Sequence, residues 1–142
     1  MGDRRKAREM ALQALYTIDL RGPWEAGGGD SSEFLYEKDR WPSSAEHACA
    51  ILAGVLENHE SIDGLIQRAA DHWSVSRMNL IDRNILRIAV YELLFCEDVP
   101  MKVSINEAIE LGKMYGTRET TRFLNGILDR IAKRGRAGAG ET

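Results

Sequence analysis

Cysteine is scarce in this chain: Cys49 and Cys96 are the only two among 142 residues. Both fall inside apolar helical patterns, where a thiol behaves as a small buried hydrophobe. No disulfide framework is expected, which suits a cytoplasmic protein. Long apolar runs are missing too, and none approaches the roughly 20 residues a membrane span needs. The charged start is not followed by an apolar leader core, so no secretory signal is expected. Neither charge sign dominates. The net charge of −3 argues against a protein that coats nucleic acid indiscriminately, because that mode needs a broad basic surface. Any nucleic-acid site must be a local patch. The spacings of common catalytic and metal motifs are absent: there is no Cys-x-x-Cys, His-Glu-x-x-His, Gly-x-Ser-x-Gly, Walker or dinucleotide fingerprint. His47, His59 and His72 are far apart, and His59 with Asp63 makes only two ligands. No metal, no cofactor and no catalytic residue is expected.

What is present is helical periodicity. Ala7, Met10, Ala11, Ala14, Leu15 and Ile18 fall within an arc of about 140° of a first helix, Asp3 to Leu20. Gly22-Pro23 ends it. Gly27-Gly28-Gly29 reads as a solvated loop, and Phe34-Leu35-Tyr36 opens a short second helix. Ser43 and Glu46 have capping-box spacing after Pro42. A third helix then carries Ala48, Ile51, Leu52, Val55 and Leu56 on one side. A fourth carries Ile62, Leu65, Ile66, Ala69 and Trp73, after a kink near Asn58. Asn79 to Cys96 is apolar around most of its circumference, the pattern of a central helix. Its polar strip is Arg83, Asn84, Arg87 and Tyr91, while Glu92 projects between Ile81 and Ile85 and needs a donor if buried. Val99-Pro100 closes this helix, and Ser104 with Glu107 repeats the capping-box spacing. The next helix stops at Gly116, read as a C′ glycine. The last buries Phe123, Leu124, Ile127, Leu128 and Ile131, with Gly126 permitting a close crossing. The glycine-rich tail, residues 135–142, is expected to be disordered. The chain is all-α on these patterns alone.

The first helix also holds the best functional candidate, Arg4-Arg5-Lys6-Ala7-Arg8-Glu9. With Arg4 at zero and about 100° per residue, Arg8 falls near 40°, Leu12 near 80°, Arg5 near 100° and Tyr16 near 120°. Two arginines and a tyrosine thus share the face opposite the alanine-rich stripe. Arginine neutralises phosphate, and tyrosine offers a π-face to an unpaired base. The same residues also fit a solvated helix start, although their charge opposes the helix dipole. Arg118 and Arg122 form a second basic group.

Ordered motifs run through the chain: Arg4-Arg5-Lys6-Ala7-Arg8-Glu9, Ala11-Leu12-Gln13-Ala14-Leu15-Tyr16, Gly54-Val55 and Ile62-Asp63. The densest stretch, Asp82 to Asp129, includes Asp82-Arg83-Asn84-Ile85-Leu86-Arg87, Val103-Ser104-Ile105-Asn106-Glu107-Ala108 and Phe123-Leu124-Asn125-Gly126-Ile127-Leu128. Together they resemble the NusB family of bacterial transcription antitermination factors. The resemblance implies two packed three-helix bundles, here about residues 1–75 and 76–134. It implies binding of boxA-type single-stranded RNA together with NusE, a small-subunit ribosomal protein, within the RNA polymerase antitermination complex, notably on ribosomal RNA operons. The RNA-binding positions it implies are Arg4, Arg5, Lys6, Arg8, Gln13, Tyr16, Arg122 and Phe123. Asp82 is the implied partner-binding position, with N-capping as its plain alternative. Some family members self-associate and hide the RNA site, so a homodimer stays open. Two other readings stand beside this one: a helical protein-binding adaptor without RNA affinity, and a detached RNA-binding part of an RNA methyltransferase.

Overall fold

The periodicity becomes six α-helices among the described residues of the computed structural model, which are 2–21, 40, 42–71 and 73–141. They are α1 (Gly2–Leu20), α2 (Pro42–Glu57), α3 (His59–Ala70), α4 (Leu80–Phe95), α5 (Met101–Tyr115) and α6 (Thr120–Glu141). A short 3-10 turn, Val75–Arg77, precedes α4, and no strand occurs among the described residues. Phe34-Leu35-Tyr36 and the triple glycine lie outside them.

The chain divides into two compact units, residues 1–59 and 60–142. In the first, α1 packs on α2. Ala7, Met10, Ala11, Leu15 and Ile18 are buried on α1, and Ala45, Ala48, Leu52 and Val55 on α2. The alanines on both helices leave room for close backbones. In the second unit, α5 and α6 pack on α4 and on each other. Ile85, Leu86, Ile88, Ala89 and Val90 of α4 are all essentially inaccessible, as a nearly all-round apolar helix requires. Glu92 is buried among them and is not without a partner.

Within the second unit, α3 is tied to the C-terminal helices. Arg87 grips Asp63 with two parallel bonds, Nε to Oδ1 at 2.8 Å and Nη2 to Oδ2 at 2.9 Å. Arg130 Nη1 donates to the Ala69 carbonyl at 2.7 Å. The side chain of Gln67 accepts from the Val75 N–H and donates to the Trp73 carbonyl. The break between α2 and α3 is the single residue Asn58, whose backbone and side-chain N–H groups both reach the Gly54 carbonyl.

Five local expectations need correction. Trp73 does not belong to the fourth expected helix: α3 ends at Ala70, and the residue is 61% exposed. The Ser104 capping box does not form, because α5 begins at Met101, behind Pro100, and Ser104 lies buried inside its first turn. Likewise α2 begins at Pro42, so Ser43 lies inside that helix. Gly116 is not left-handed but extended, at φ −97° and ψ −168°. Its need for glycine is room, since a Cβ there would sit 2.5 Å from Thr120 Oγ1. The close crossing of α5 and α6 is at Gly112, where a Cβ would lie 2.9 Å from Leu124 Cδ1, whereas at Gly126 it would meet nothing within 4 Å.

Candidate nucleic-acid interface

The residues put forward on α1 fall into two environments. Arg4, Arg5 and Gln13 are exposed, Tyr16 is 36% exposed, and Lys6 is half-buried. Arg8, by contrast, is 5% exposed and Leu12 2%. The open face drawn from the helical projection is therefore narrower than expected. Arg5, Tyr16, Leu20 and Gln13 remain exposed, within about 80° of the helix circumference. Arg8 and Leu12 flank this strip on its buried side. A guanidinium so enclosed requires partners, and Arg8 has them, as do Arg4, Arg5 and Lys6. Projection from one stripe missed this because α1 buries more than its alanine side.

Arg122 and Phe123 stand on the first turns of α6, in the second unit. Arg122 is exposed and makes no ion pair among the described residues. Phe123 is half-buried, its ring edge-on to Trp73 at 6.4 Å between centroids and 83° between planes. Six of the eight RNA-binding candidates thus share α1, and two share α6.

Asp82 lies in the first turn of α4 and is 9% exposed. Its Oδ1 accepts from the Thr120 hydroxyl at 2.9 Å, and its Oδ2 from Asn79 Nδ2 at 3.0 Å. Its own N–H donates to Asn79 Oδ1 at 2.8 Å, so Asn79 is the N-cap of α4. Thr120 Oγ1 in turn accepts from the Thr117 N–H at 2.9 Å. One carboxylate therefore joins the start of α4 to the turn that leads into α6. Asn79, Thr117 and Thr120 were missed at the level of sequence. The Asn79 to Asp82 spacing signals the cap, but nothing local signals a hydroxyl 38 residues away.

These arrangements hold and present groups, and the one hydroxyl–carboxylate pair described, Thr120 on Asp82, joins two helices. They offer exposed arginines, exposed aromatic rings and amides, which is the chemistry of binding.

Comparison with known proteins agrees in length and fold. The NusB family model matches residues 5–133. The transcription antitermination protein NusB of Desulfosudis oleivorans is 43% identical over 137 residues, covering 94% of this chain and 87% of that protein. The structure of T. maritima NusB superposes with a TM-score of 0.81 at 40% identity, over 92% of this chain and 90% of that one. A crystal structure of antitermination factors NusB and NusE in complex with double-stranded RNA is similar at a TM-score of 0.79 and 28% identity, over 94% and 98%. With a family model spanning most of its length and relatives this similar and this fully covered, the chain belongs to the NusB family.

Proposed function

We propose that this protein is a transcription antitermination factor that acts by binding and not by catalysis. It takes boxA-type single-stranded RNA together with a NusE-type ribosomal protein and so promotes readthrough in the polymerase complex. The observation that carries the proposal is its close, near full-length similarity to proteins named for transcription antitermination. The similar complex of NusB and NusE with double-stranded RNA supports a NusE-type protein as partner and RNA as the ligand class. Arg5, Gln13 and Tyr16 form the accessible part of the RNA surface on α1, with Arg4 and Lys6 beside them and Arg8 bracing the helix from inside. Arg122 and Phe123 add a second contact region. Asp82 supports the partner surface from within, by holding the start of α4, instead of offering its carboxylate outward. No described helix is long and apolar enough to cross a membrane, and cytoplasmic work fits the reading.

The test is fluorescence anisotropy of a labelled boxA-type RNA, titrated with the protein alone and with its NusE partner at two salt concentrations. The expected result is tighter, salt-sensitive binding with the partner, lost for a scrambled RNA and weaker for a duplex. Absence of RNA binding in every condition, with both proteins folded, would leave a protein-binding adaptor in its place.

A further inference from the structure

A groove of about 370 Å³ opens on the second unit, between the end of α3, Trp73 and the side of α6 that carries Arg122, Phe123, Gly126 and Arg130. This is within the roughly 300–1,000 Å³ typical of small-ligand sites. Trp73 is its most unusual feature. A tryptophan left 61% exposed forgoes much of the stabilisation that burial brings, yet its backbone is held in place. The Trp73 backbone N–H donates to the Ala70 carbonyl at 3.3 Å, and its backbone carbonyl accepts from Gln67 Nε2 at 3.0 Å. Gln67 also accepts from the Val75 N–H at 2.9 Å, clamping the turn from both sides. Phe123, half-buried, buttresses the ring edge-on.

The α6 side contributes space and charge. At Gly126 an added Cβ would meet nothing within 4 Å, so the missing side chain keeps the groove open. Arg122, one turn before it, is exposed and makes no hydrogen bond or ion pair among the described residues. Arg130, one turn after it, is already engaged by the Ala69 carbonyl and stands 3.7 Å from Asp71. The groove thus pairs an exposed aromatic ring, on a clamped backbone and edge-on to Phe123, with the cation of Arg122. A planar ring stacked on the indole, carrying negative charge toward Arg122, satisfies both.

We infer that this groove holds one unpaired nucleotide of the RNA strand, its base on Trp73 and its phosphate on Arg122. The inference rests on the RNA-binding reading and deepens it. It makes Trp73 the stacking ring and Phe123 its support, and it makes Gly126 a determinant of where the strand must be single. A duplex does not fit, because its bases have no free face.

The test uses the protein with its NusE partner and boxA-type RNA in which each nucleotide in turn is made abasic. Trp73→Ala should weaken RNA binding roughly five- to a hundredfold, the range for losing one stacked base. Trp73→Phe should restore most of it. One abasic position should cost wild type its affinity and cost Trp73→Ala nothing further. Gly126→Leu, which fills the groove, should weaken binding while raising the unfolding midpoint, since leucine favours helix over glycine. A purely structural role for this region predicts that affinity and stability move together. If wild type binds RNA but no abasic effect vanishes in Trp73→Ala, or Gly126→Leu binds as wild type does, the groove assignment fails and the RNA reading stands. Failure of wild type to bind RNA removes both. Loss of partner binding by Trp73→Ala in the absence of RNA makes the groove a protein-docking surface and overturns the inference.

Discussion

Arg5 and Arg8 are three positions apart on α1, yet one is exposed and the other 5% exposed. Their alanine variants should therefore behave differently. Arg5→Ala is expected to weaken RNA binding on the order of five- to tenfold, the scale of one charged contact, with thermal unfolding nearly unchanged because an exposed pair contributes little. Arg8→Ala is expected to lower stability by about 1–3 kcal/mol, because its enclosed partners lose their donor. Urea unfolding beside anisotropy separates the two, and equal effects on stability would contradict the burial difference. Sequence reasoning grouped these arginines because a projection records direction but not what covers it. Asp82 shows the same limit. Its place in a first turn was readable, whereas its bond to Thr120 joins residues far apart in the chain.

At the scale of the element, helix existence was largely legible and helix edges were not. The apolar repeats of α1, α4 and α6 predict the buried faces that the structure shows, since burial of one stripe is what stabilises a surface helix. Ser104 misled because capping-box spacing also occurs inside a helix, where Pro100 had already set the start. The close crossing of α5 and α6 was assigned to the wrong glycine. Sequence spacing suggested a close crossing at Gly126, but the helices meet at Gly112. Gly112→Ala should destabilise by roughly 1–3 kcal/mol through overpacking. Gly126→Ala should stabilise by about 0.5–1 kcal/mol, as an open helix position allows. Denaturation midpoints decide this, and the same sign for both variants would contradict the crossing.

For the whole molecule, a net charge of −3 leaves RNA attraction to a few local cations. The logarithmic salt dependence of RNA binding should therefore be shallow, with a slope of about −0.7 for each phosphate neutralised on a single strand. Arg5→Ala and Arg122→Ala should each flatten that slope by about 0.7, measured from 50 to 300 mM salt. A slope unmoved by either variant would place the phosphate contacts elsewhere.

The amino-acid order by itself determined that the protein is helical, which stripes are buried, and which family its motifs resemble, because these depend on periodicity and local residue chemistry. Only the tertiary structure decided that Arg8 is enclosed, that Asp82 joins α4 to α6, that α3 belongs with the C-terminal helices, and that Trp73 stands exposed beside Phe123 and Arg122. Each of these depends on groups brought together from separate stretches of chain, and no helical repeat encodes which neighbour will cover, bond or leave open a given side chain.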